Sequence, residues 1–137
     1  MANIAFWEKR FVEEYIVPEK RDRYLMKLKG PKHRRDILDR LNHVLDFRPE
    51  TATALSQHQR TSDALFKLLR SHHVTNTCYI MADSTPLDGR EMRLELAFEE
   101  LLGHPFGFVL ICPPVPIALY KEEDIGQMFL LLPPKKT

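Results

Sequence analysis

The chain is poor in the residues on which many chemical motifs depend. Of its 137 residues only two are cysteine and five are glycine. Two cysteines cannot build a disulfide framework. Cys78 and Cys112 both lie inside apolar runs and read as reduced core thiols. Both fall on strands expected in one sheet, which would let them sit close together. No GxGxxG occurs, and no GxxxxGK followed by Ser or Thr, so a glycine-rich phosphate-binding loop has no support. Neither Ser56 nor Ser84 has the flanking glycines of a nucleophile elbow.

Long uncharged runs are also missing, except over residues 105–120 (PFGFVLICPPVPIALY). A spanning helix needs about 20 consecutive apolar residues. This run is shorter, and Pro113, Pro114 and Pro116 would break a helix at its middle. It reads instead as two buried strands separated by a proline elbow. Proline in a strand is tolerated at ends, bulges and edges, which places the elbow at a sheet corner or edge and makes it a candidate interface. The first residues carry no basic segment followed by an apolar one, so no signal peptide is expected and a cytoplasmic location is.

The length fits one domain, able to bury a core without a metal or disulfide. Net charge is +1, unevenly spread. Residues 1–75 hold 15 Lys+Arg against 10 Asp+Glu, and residues 76–137 hold 5 against 9. A mildly basic front half is joined to an acidic back half.

The front half has helical periodicity. Ile4, Trp7, Phe11, Tyr15 and Ile16 form an apolar stripe over residues 4–16, with Glu8, Lys9, Glu13 and Glu14 assigned mostly to the other side. Pro18 suits the first turn of a second helix over residues 18–29, which Gly30 ends. Pro31 opens a third over residues 31–45, with Ile37, Leu38, Leu41, Val44 and Leu45 inward. Residues 46–56 look irregular. A fourth helix is expected over residues 62–72, capped by Thr61 or Ser62.

The back half reads as strand 77–82, a turn at Asp88-Gly89 with a short return strand at 90–93, a helix over 94–102, strands 106–112 and 115–121, and a last strand over 127–132. Residues 133–137 are expected to fray. The predicted class is α+β, four helices followed by a β-α-β-β-β mixed sheet of about four strands. The crossover from strand 77–82 to strand 106–112 is long enough to be parallel. Tyr79, Ile80 and Met81, residues 108–111 and residues 128–132 are apolar at nearly every position, as in strands covered on both faces. One face can take the helix of 94–102, and the other the front-half helices. Sheet surface left uncovered would be a dimer interface.

Three sets of residues could carry chemistry. Asp83, Asp88 and Glu91 cluster after the first strand, where carboxylates could hold a hard cation or supply an acid and a base. Cys112, before Pro113, could serve as a nucleophile if a histidine or a helix N-terminus lowered its pKa. Lys32, Arg34 and Arg35 centre a basic surface over residues 27–40 that could follow a phosphate backbone, although Asp36 and Asp39 dilute its field. No histidine pair has the HxxxH or HExxH spacing; His33 and His43 are ten residues apart, about 15 Å by helical rise. No metal site or cofactor is expected.

The function expected from this pattern is protein–protein contact, as a homodimer or an accessory subunit. The alternatives are a hydrolase or metal-assisted phosphoryl-transfer enzyme using Asp83, Asp88 and Glu91, and nucleic-acid binding through the basic surface. No membrane partner is expected.

Overall fold

A computed structural model describes residues 5–43, 46–83, 85–123 and 126–134, without the side chains of residues 42 and 43. Ile4, Val44, Leu45, Ser84 and residues 135–137 of the expected tail lie outside the described residues, as does the side chain of His43.

Three helices come first: α1 (Phe6–Tyr15), α2 (Arg21–Leu28) and α3 (Pro31–His43). Pro18 opens a 3-10 turn, Pro18–Lys20, that runs directly into α2. The connection to the next helix contains a short strand, β1 (Ala52–Ala54), and then comes α4 (Ser62–Ser71). The Thr61 hydroxyl caps α4 by accepting the Ala64 N–H at 3.2 Å. The remainder is β2 (Thr77–Met81), β3 (Glu91–Arg93), α5 (Leu94–Leu101), β4 (Phe108–Cys112), β5 (Ile117–Lys121) and β6 (Met128–Leu131). Gly89, at φ 79°, supplies the left-handed residue that the tight turn before β3 requires.

The α+β class is observed, but the sheet differs from the expectation. It has six strands in the order β1-β6-β5-β4-β2-β3, and every pairing is antiparallel. The expected mixed sheet of about four strands is therefore corrected twice. Residues 46–56 hide β1, which pairs with the far-off β6, Ala52 opposite Leu131. The expected parallel neighbours, β2 and β4, run antiparallel, with Tyr79 opposite Ile111.

The return strand explains the reversal. β3 lies antiparallel to β2 on one side, and β4 lies antiparallel to β2 on the other. The helical crossover α5 thus joins β3 to β4, which are parallel to each other, and β2 sits between them. Inserting one strand before the crossover flips the direction of everything after it.

Coverage of both sheet faces is as expected. Tyr79, Met81, Val109, Ile111, Ala118, Tyr120, Phe129 and Leu131 turn toward a core built with α1, α2 and α3. Their neighbours Cys78, Ile80, Leu110, Cys112, Leu119, Met128 and Leu130 turn toward a second core built with α4 and α5. Side chains alternate along a strand, so an uninterrupted apolar strand fills both cores at once. Among the described residues, the apolar side chains of β2, β4, β5 and β6 are all buried, and β1 and β3 are the sheet's edges. No helix among the described residues is long and apolar enough to cross a membrane.

Candidate functional site

The expected acidic loop and basic surface meet at one place. Arg34, on α3, is turned inward, and its guanidinium holds two carboxylates. Nη1 and Nη2 donate to Oε1 and Oε2 of Glu8 at 2.6 Å each, while Nε and Nη2 donate to Asp88 at 2.8 Å each. Tyr79, on β2, donates its hydroxyl to Glu8 Oε2. Asp88 Oδ1 also accepts the Ala82 N–H at 3.0 Å. One side chain therefore ties α1, α3 and the β2–β3 turn together.

Glu8 is only 2% exposed, against the expectation that it lies on the polar side of its helix. It stands three, four and seven residues before Phe11, Val12 and Tyr15, which are buried. A carboxylate at a stripe position signals a buried cationic partner, and the spacing could have shown this. Burial acts to lower the Arg34 pKa, but the hydrogen bonds it donates to Asp88 and Glu8 outweigh this and raise it. Burial and the Glu8 hydrogen bond push the Tyr79 pKa upward. The guanidinium stays charged and the phenol neutral through the physiological range, so the cluster works as a fixed clamp.

A shallow cavity of about 170 Å³ opens beside the clamp, lined by Pro31, Arg34, Arg35, Leu38, Asp83, Thr85 and Asp88. It brings together Asp83 and Asp88 but not Glu91, which is exposed on β3 opposite Tyr79. The basic surface is divided. Lys32 and Arg35 are exposed, Arg34 serves the clamp, and Arg40 donates to Asp46 at 2.9 Å.

Asp46 forms a second buried polar centre that no sequence signal pointed to. Its carboxylate accepts from Lys20 Nζ at 2.9 Å, Tyr24 Oη at 2.6 Å and Arg40 Nε. Burial raises the Asp46 pKa, yet the hydrogen bonds from Arg40, Tyr24 and Lys20 bring it below the ordinary carboxylate value. Among the described residues, no buried side-chain nitrogen or oxygen lacks a hydrogen-bond partner, and no group of three or more His, Cys, Asp or Glu is placed to hold a metal ion.

Cys112 closes β4 and is fully buried in the core beneath α4 and α5. Continuing the register that sets Tyr79 opposite Ile111 places Cys78 opposite Cys112, and both thiols are free. Burial pushes the Cys78 thiol up to about 12 and the Cys112 thiol higher still. Buried, protonated thiols are inert.

The proline elbow is placed differently from the expectation of a corner or edge. It is the tip of the β4–β5 hairpin, between two interior strands. The Pro113–Pro114 bond is cis. Pro113 C=O accepts the Thr75 N–H at 3.0 Å, and Pro116 C=O accepts the Tyr15 hydroxyl at 2.5 Å. Pro116 is buried, whereas Pro114 and Val115 are exposed.

The true edges are β1 and β3, and they differ. Ile80 N–H bonds to Arg90 C=O and Leu94 N–H to Asn76 C=O. By the antiparallel alternation, the outward backbone groups of β3 belong to Glu91 and Arg93. Charged residues on an edge discourage further pairing. On the other side, Leu132 N–H bonds to Thr51 C=O and Leu55 N–H to Met128 C=O. The outward groups of β1 therefore belong to Ala52 and Ala54. Ala52 N–H turns back to Pro49 C=O, which leaves Ala52 C=O and both backbone groups of Ala54 facing outward.

A cavity flanks each face of this uncharged edge. Phe47, Pro49, Ala52 and Phe129 line an apolar one of about 280 Å³. Arg48, Glu50, Thr51, Thr53, Leu132, Pro133 and Pro134 line one of about 540 Å³ on the opposite face. No protein-family model, curated protein or solved structure matches the chain, so the functional reading rests on this geometry.

Proposed function

We propose that the protein acts by protein–protein contact, as an accessory subunit or a homodimer. The observation that carries this reading is the contrast between the two sheet edges. β3 presents Glu91 and Arg93, while β1 presents Ala52 C=O and both backbone groups of Ala54, unpaired among the described residues, between two cavities. An edge of this kind is a template for another chain.

The side chains best suited to chemistry support the same reading from the other direction. Asp88 is held by Arg34 and the Ala82 N–H, Cys112 is sealed in a core, and Glu91 stands apart from the cavity that Asp83 and Asp88 share.

The reading is tested on the protein in gentle extracts of its source cells, by gel filtration with immunodetection. A particle larger than the 16.1 kDa chain is expected. Elution at the monomer mass at every extract concentration would count against it.

A further inference from the structure

We infer that the β1 edge receives an extended, uncharged segment of a different protein, which adds a seventh strand to the sheet. This deepens the protein-contact reading and rests on it.

The occupant follows from the backbone first. Ala54 N–H and C=O and Ala52 C=O are strand-type groups whose natural complement is another extended backbone. The 3-10 turns Pro49–Thr51 and Gln57–Gln59 bracket this edge, so the added strand pairs over a few residues only. The two cavities then specify side chains. They lie on opposite faces of the sheet, beside Ala52 and beside Thr53. Successive residues of an added strand point to those two faces in turn. A segment with apolar side chains at every second position would fill the cavity of Phe47, Pro49 and Phe129, and small polar ones would lie over Thr53 and Leu132.

A second copy of this chain fits the edge less well. Its own β1 offers only Ala-Thr-Ala, whose methyl groups cannot fill an apolar cavity of about 280 Å³. The other edge, β3, carries Glu91 and Arg93, and β2, β4, β5 and β6 are interior strands. The edge itself carries no charge, and nearby Arg48 and Glu50 neutralise each other at 2.8 Å, so an uncharged segment is selected over an acidic or basic one.

The test uses the full chain, labelled with nitrogen-15, and a capped hexapeptide that alternates threonine with valine and phenylalanine. The control peptide has serine at the apolar positions. The expected result is amide shifts centred on residues 52–54, slowed hydrogen exchange of the Ala54 N–H, and binding about tenfold tighter than the control. Ala54→Pro removes the outward donor but no bond to β6, and should weaken binding about tenfold. Should that variant fail to fold, Ala54→Lys places a charge on the edge and serves the same purpose.

Absence of shifts at residues 52–54 with millimolar peptide overturns the inference, and so does equal binding by either variant. Concentration-dependent amide shifts at Thr53 and Leu55 without peptide, lost in Ala54→Pro, would make a second copy the occupant. That result overturns the heterologous segment and leaves the protein-contact reading standing. A large particle from cells that persists with Ala54→Pro does the same, whereas a monomer in extracts removes the broader reading itself.

Discussion

Arg34 grips Glu8 through both terminal nitrogens, at 2.6 Å each, from a helix 26 residues further along the chain. The Glu8 side chain is 3% exposed and that of Arg34 17%, so the Glu8 charge is balanced by Arg34 and not by water. Truncation at Arg34→Ala should cost about 3 kcal/mol of unfolding free energy in urea, because a buried carboxylate loses its partner. The double variant Glu8→Gln with Arg34→Met should cost less than the sum of its single changes. Strict additivity would show that the pair is not coupled.

Asp46 should give the protein an acid-sensitive contribution to stability. Its folded pKa lies below the ordinary value, which the unfolded chain restores to about 3.9. The contribution is therefore complete above that unfolded value and is lost as pH falls below about 4. Measured against Asp46→Asn, the difference in unfolding free energy should be flat above about pH 5 and shrink below about pH 4. A difference that persists unchanged to about pH 2 would contradict this account.

Cys78 and Cys112 should resist alkylation in the native protein at pH 8, since both are buried and burial raises both thiol pKa values. Unfolding in denaturant should release both for modification, counted by mass. Rapid modification of Cys112 without unfolding would revive its role as a nucleophile.

Tyr15→Phe should destabilise by about 1–2 kcal/mol. Its hydroxyl lies within hydrogen-bond distance of Pro116 C=O at 2.5 Å and Leu131 C=O at 3.2 Å, joining α1 to the β4–β5 hairpin turn and the end of β6. The apolar packing of the ring beside Phe11 remains in the variant. Urea denaturation reads the cost, and an unchanged midpoint would mean that water replaces both bonds.

Much of the fold was legible because it is encoded locally. Pro18, Gly30 and Pro31 punctuate the helices in the sequence and in the structure. The apolar runs at 108–111 and 128–132 announced strands covered on both faces, and two helical layers cover them. The site was legible only in fragments. Asp88 and Arg34 were each visible as candidates, one in an acidic loop and one on a basic surface, but their pairing spans 54 residues. β1 was hidden in polar, irregular residues because a three-residue edge strand leaves almost no periodic pattern.

The sequence by itself determined most of the apolar side chains that turn inward, since side-chain alternation and helical period are properties of neighbouring residues. It does not fix strand direction, and the parallel pairing expected of 77–82 with 106–112 is antiparallel in the sheet. A short return strand at Glu91–Arg93 reversed the whole crossover, and only the completed sheet shows that reversal. Tertiary structure likewise decided that the proline elbow of residues 113–116 caps an interior hairpin, and that the open edge is Ala52–Ala54. An edge is defined by the absence of a neighbour, and which strand lacks one depends on every other pairing in the sheet.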